Sequence, residues 1–112
     1  MTNRSTDKKI FTNETIRKVW EKAEIVTGLD CGIYRKDKCG AMIKMNLYGQ
    51  SNVKFSMAWE IDHIKPEVEG GTDDLINLQA LQWENNRNKE NHYPSWSCLI
   101  SSDKNQNKLI VR

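Results

Sequence analysis

The chain is predicted to fold as a single α+β domain, on three observations. An amphipathic helical stretch follows Thr12, and the second half runs strand, long loop, strand, helix. At 112 residues, with 38% hydrophobic and 29% charged residues, the chain can bury a modest core under a generous polar surface. The domain is expected to span 1–112: a loose lead-in over 1–11, the best-defined unit over 58–91, and a C-terminal extension over 93–112.

A helix is signalled from Thr12 or Asn13, where a capping residue precedes Glu14. Ile16, Val19, Trp20, Ala23 and Val26 recur at helical spacing, and Gly28 is the expected stop. Residues 28–40, GLDCGIYRKDKCG, read as a loop, and AMIKMNLYG as a short strand ending at Gly49. Residues 58–63 read as a strand that Lys65-Pro66 ends, because proline lacks an amide donor and restrains the residue before it. Gly70-Gly71 permits a tight turn, LQALQW (78–83) alternates as a second strand, and ENNRNKEN reads as a polar helix from about Glu84. Residues 93–112 read either as an added strand, since KLIVR is apolar enough, or as a tail.

Composition narrows the function classes. The formal net charge of +2 is weak support for a polyanionic partner, although Lys36, Lys38, Lys44 and Lys54 precede the Asp62-His63 pair and Arg87 and Lys89 follow it. The three cysteines are irregularly spaced with no Cys-x-x-Cys pair, which argues against a disulfide framework and against a zinc ribbon. MTNRSTDKK lacks the apolar core of a signal peptide, and no apolar run approaches a membrane span. A cytoplasmic protein with reduced thiols is therefore expected. A toxin exported by a non-classical route would look the same.

The chemistry concentrates at element ends. In a regular strand Trp59, Ile61 and His63 share one side while Glu60 and Asp62 take the other, so for Asp62 and His63 to serve one site the strand must distort. Asp62 offers a hard anionic oxygen to a divalent cation, and the His63 imidazole can take a proton from water. Asn77 and Asn86 add neutral carboxamide oxygens. Alone, an Asp-His pair more often ends a strand without function; with the two asparagines the balance changes.

Asp62-His63-x-x-Pro66, Gly70-Gly71, Asn77-Leu78-Gln79-x-Leu81 and Asn86-x-x-Lys89 together resemble the signature of the HNH endonucleases, the ββα-metal or His-Me finger nucleases. The resemblance covers about residues 58–91 and implies a ββα-metal core with an added N-terminal helix and peripheral short strands. It implies Asp62 and Asn86 as metal ligands, His63 as general base, and Asn77 as the residue that holds the loop and orients His63. The family's spacing from Leu81 selects Asn86 over Asn85. Arg87 and Lys89 would contact phosphates. One divalent cation is expected, Mg²⁺ first with Mn²⁺ as substitute, because oxygen ligands suit a hard ion. Many members carry zinc-binding cysteines where this chain has Gln82 and Asn85, so no structural zinc is expected, and Trp83 and the Trp20 helix are expected to supply that stability.

The implied activity is hydrolysis of DNA phosphodiesters, leaving 5′-phosphate and 3′-hydroxyl ends, with nicking by each site. Double-stranded DNA is the implied partner, no membrane is expected, and cutting both strands would need two encounters or a homodimer. The alternatives are a toxin or defence nuclease that also cuts RNA, and a nucleic-acid-binding module without cleavage. Glu60, Glu90 and His92 read as structural or surface groups, the tryptophans as core, with Trp96 held back for a DNA contact.

Overall fold

The computed structural model describes residues 10–51 and 53–111, so most of the lead-in expected over 1–11 lies outside the described residues. Helix α1 spans Asn13–Trp20 and α2 Trp83–Lys89; the strands are β1 Glu24–Ile25, β2 Tyr34–Lys36, β3 Met42–Lys44, β4 Trp59–His63, β5 Leu78–Gln82, β6 Ile100–Asp103 and β7 Gln106–Leu109. They form three antiparallel sheets, β1-β2-β3, β4-β5 and β6-β7. Helices and small sheets are mixed along the chain, an α+β fold.

Thr12 caps α1 by accepting the amide of Thr15 at 3.1 Å, satisfying one donor that the first turn leaves without an intrahelical partner. The helix ends at Trp20, well short of the expected Gly28. Arg35 is the reason. Its buried guanidinium takes the carbonyls of Glu21 (3.1 Å) and Ala23 (3.0 Å), which a continuing helix would have used, and also that of Cys31 (2.9 Å). The freed chain then pairs as β1 with β2, so a strand lies within the 28–40 stretch that reads as loop.

Strands β4 and β5 pair in full register from Trp59↔Gln82 to His63↔Leu78. Trp59 and Ile61 pack with Leu78, Ala80, Val19, Trp20 and Ile43 into the main core, where the Trp20 and Trp59 rings lie 5.3 Å apart. Helix α2 packs on both strands. Gln82 caps it through its side chain, accepting the amides of Glu84 (2.9 Å) and Asn85 (3.2 Å).

Two long-range ties behind α2 correct the sequence reading. Cys39 and Cys98, 59 residues apart, form a disulfide with Cα atoms 5.7 Å apart, where reduced thiols were expected. Irregular spacing could not reveal the pair because folding alone brings the cysteines together. The second tie is Asp37. Its buried carboxylate accepts from the amides of Cys39, Ala41 and Gln82 and from the Asn85 side chain, each within 3.0 Å. Asn85 in turn bonds the backbone of Leu99 and Ile100. These bonds clamp the start of α2 to β6; of the two groups expected to give stability in place of a zinc, the Trp20 helix packs on the core and Trp83 is half-buried. Residues after 99 form the β6-β7 hairpin, tied to β3 by Asn107, which bonds the amide (2.6 Å) and the carbonyl (2.9 Å) of Met42.

Candidate active site

Strand β4 stays regular through its last residue, and its ladder continues one step further as the amide of Ile64 bonds the carbonyl of Asn77 at 2.8 Å. The distortion expected at Asp62-His63 is absent. Strand alternation therefore sends Asp62 toward α2 and His63 the opposite way, toward the loop that joins the strands.

On the α2 side, Glu60 and Asp62 are two residues apart on one strand face, and Asn86 and Lys89 are three apart on one helix face. The four interlock. Lys89 places its ammonium 3.3 Å from the Asp62 carboxylate and donates to the carbonyl of His63 at 3.0 Å. Gln79, opposite Asp62 on β5, donates to the same carboxylate at 3.0 Å. Asn86 donates its amide nitrogen to Glu60 at 2.7 Å, and Arg87 pairs with the other Glu60 oxygen at 3.0 Å. Asp62, Asn86 and Lys89 are 3%, 2% and 1% exposed, so these charges are balanced inside the protein. Burial pushes the Asp62 carboxyl above its ordinary range, opposed by the Gln79 hydrogen bond, the Lys89 charge and neighbouring His63.

The loop side is organised by Asn77. Its carboxamide oxygen accepts the amide of Lys65 at 2.8 Å, and its nitrogen donates to the carbonyls of Lys65 (3.1 Å) and Thr72 (2.8 Å), closing residues 64–77 on themselves. Gly71 is required there, since a Cβ would stand 1.7 Å from the Lys65 carbonyl oxygen. The closed loop delivers Asp73 to His63, whose Nε2 lies 2.6 Å from the carboxylate. Glu67 stands 4.0 Å from the same nitrogen. His63 is buried beside Phe11, and its Nδ1 has no hydrogen-bond partner among the described residues.

Two sets of atoms could hold a cation. Asp62, Glu60 and the Asn86 carboxamide are all oxygen donors, which suits a hard divalent ion. Glu60 also fixes the Asn86 amide by taking its nitrogen. The other set, His63, Glu67 and Asp73, offers one ligand atom each within 4.8 Å of one another.

The sequence-derived residues are thus partly brought together. Asp62 and Asn86 lie on the same strand–helix interface, His63 across the strand from them, and Asn77 at the base of the loop, where its side chain bonds Lys65 and Thr72. Lys89 faces inward, where a phosphate contact was expected of it, because its long stem reaches across the interface to Asp62. Arg87 keeps a partly exposed side chain, 37%, while bonded to Glu60 and Ser51. Glu90 is exposed, and His92 bonds the carbonyl of Lys89 at the end of α2. The sequence reading missed Asp73 and Asp37. Asp73 lies in an ordinary polar turn, and nothing in the local pattern around Asp37 marks it.

Residues 48–92 match the family model described as HNH endonuclease. The segment that carries the site therefore falls among the nucleases, enzymes whose substrates are nucleic acids. It belongs to the HNH endonuclease family, whose members typically work with a divalent metal. The matched segment reaches back to Tyr48, whose ring packs 4.9 Å from Trp59 at the start of β4. No curated protein and no solved structure matches the chain.

Proposed function

We propose that the chain is a metal-dependent DNA endonuclease with a ββα-metal core formed by β4, β5 and α2, that it nicks one strand per encounter, and that it leaves 5′-phosphate and 3′-hydroxyl ends. The observation that carries this reading is the match of residues 48–92 to the HNH model, a segment that contains Asp62, His63, Asn77 and Asn86. Because β4 sends Asp62 and His63 to opposite faces, the reading requires the end of the strand to turn when substrate binds, bringing the imidazole to the side of the oxygen donors. With Asp73 on Nε2, that nitrogen keeps the proton and Nδ1 carries the lone pair. Nδ1 is then the atom that accepts a proton from the attacking water, and the Asp73 carboxylate stabilises the imidazolium that forms.

Asp62 and Asn86 would hold the cation, Mg²⁺ with Mn²⁺ as substitute, and Glu60 would keep the Asn86 oxygen turned toward it. When bound, the ion would supply positive charge against a non-bridging phosphoryl oxygen and the departing 3′ oxygen. Lys89 offsets the Asp62 charge before the ion arrives, and the exposed edge of Arg87 contacts a substrate phosphate. Asn77 keeps the loop closed, so Asp73 stays on His63.

The cluster of His63, Glu67 and Asp73 favours a second reading, in which the cation sits on the loop side and His63 is a ligand. Calorimetric titration with Mn²⁺ separates the two. Asp62→Ala abolishes binding in the first reading and spares it in the second, whereas Asp73→Ala does the reverse. The nuclease reading is tested by nicking of supercoiled plasmid with Mg²⁺, with EDTA, and by His63→Ala, alongside linear, single-stranded and RNA substrates. Binding without metal-dependent cleavage would make the chain a binding module, and efficient RNA cutting would favour a toxin or defence nuclease.

A further inference from the structure

A cavity of about 290 Å³ opens beside the site, between the end of α1, the β1-β2 pair and the β4-β5 hairpin. Lys22, Lys36 and Lys38 line it, together with Glu24, Ile64 and Gln79. Asp37 also borders it, but that carboxylate is turned inward onto its four donors. The lysines differ in state. Lys22 donates to the backbone carbonyls of Leu75 and Leu78 and is held against the wall. Lys36 and Lys38 are in no ion pair with any described residue, and even Glu24, the cross-strand neighbour of Lys36, does not reach it. The Lys38 ammonium lies 5.5 Å over the Trp96 ring, which leaves an aromatic face and a cation together at the rim.

We propose that this cavity is a nucleic-acid subsite, in which Lys36 and Lys38 hold a backbone phosphate flanking the one that is cut. The proposal rests on the nuclease reading and extends it. Gln79 forms part of the cavity wall and also donates to Asp62, so the subsite and the candidate metal ligand are joined through one side chain. Ammonium groups with no ion-pair partner among the described residues attract phosphate, and the counterions released on binding make it salt-dependent. The Lys38–Trp96 rim favours a strand over a free anion, because an aromatic face beside a cation suits sugar and base next to a phosphate.

The test compares Lys36→Ala/Lys38→Ala with Lys36→Arg/Lys38→Arg and with Lys104→Ala/Lys108→Ala, which removes equal charge from the β6-β7 hairpin. Affinity for a labelled duplex is measured by anisotropy in EDTA at several salt concentrations. Mn²⁺-dependent hydrolysis is measured on the duplex and on bis(4-nitrophenyl) phosphate, a diester with no flanking phosphate. The alanine pair at 36 and 38 is expected to weaken duplex binding about tenfold and to lower the salt slope by about one for each lysine. The arginine pair retains most of the affinity, and duplex cleavage falls more than hydrolysis of the small diester. An equal loss in the hairpin variant, an unchanged salt slope, or competition by a 5′-mononucleotide as strong as that of DNA per phosphate would each overturn the subsite. Hydrolysis of the diester by the wild type with no lysine effect on binding sinks the subsite and leaves the nuclease reading standing. Lysine-dependent binding without hydrolysis of either substrate does the opposite.

Discussion

The two faces of β4 are built on opposite rules. On the side facing α2, the carboxylate of Asp62 meets Lys89 in a buried pair and that of Glu60 meets the partly exposed Arg87, so charge is matched pair by pair. On the loop side, a buried imidazole leaves Nδ1 with nothing to bond among the described residues. Matched charges can stay buried without collapsing the fold, whereas an orphaned polar atom costs about 1–3 kcal/mol and is retained where it is used. The contrast shows how neighbouring residues take different roles: one face stores negative charge in a form a cation can claim, and the other stores an unused proton acceptor.

The contrast can be broken most strongly at its two centres. His63→Ala is expected to lower plasmid nicking on the order of 10³-fold while leaving Mn²⁺ affinity within about twofold. Asp62→Ala removes both activities. Loss of ion binding in the His63 variant would merge the two faces into one loop-side site.

A smaller effect, about 3 kcal/mol in urea unfolding, is expected when Asp62→Ala strands the buried Lys89 ammonium. Adding Lys89→Met should return most of that stability, because removing both charges leaves none unpaired. Failure of the double variant to recover would show that Lys89 is not balanced chiefly by Asp62.

Asp37 supplies a pH test away from either face. Burial raises its pKa above the ordinary 3.8, against the hydrogen bonds from Gln82, Asn85, Ala41 and Cys39. A carboxyl raised on folding contributes stability that is complete below its unfolded pKa and is lost as pH climbs through the folded one. The urea midpoint should therefore decline over that window, and the decline should be shallower in Asp37→Asn. That variant also loses about 2 kcal/mol at acidic pH, since an amide nitrogen cannot accept from the donors. A decline of equal steepness in both proteins would remove Asp37 as its source.

The mildest change is Asp73→Asn, expected to reduce turnover about tenfold with little effect on stability or ion affinity. It keeps a hydrogen-bond acceptor at Nε2 but lacks the charge that stabilises the imidazolium. A larger loss of Mn²⁺ binding than of turnover would instead assign Asp73 to a cation.

Much of this was legible where the information is local. The alternation in 58–63 and 78–83 marks β4 and β5, the polar run marks α2, and the proline and paired glycines mark the loop that Asn77 closes. Side-chain alternation even indicated that Asp62 and His63 oppose each other, but the shared chemistry of the pair suggested a bend that the continuous ladder does not make. What stayed hidden depends on residues far apart in sequence. Arg35 ends α1 from fourteen and twelve residues away, Asp37 and Asn85 meet across 48, and Cys39 finds Cys98 across 59. Lys89 illustrates a subtler limit: its position on α2 was readable, yet the direction of a long flexible stem was not, because its destination belongs to another element.

The Cys39–Cys98 bond has a topological consequence. Every residue from Glu60 to Arg87 that the nuclease reading uses lies inside the ring of chain that it closes. A protease cutting once at exposed Val68 or Glu69 would turn that ring into a line without releasing any of it. The nicked protein would keep its full mass under non-reducing conditions and separate into two fragments only after reduction, with His63 on one piece and Asn86 on the other.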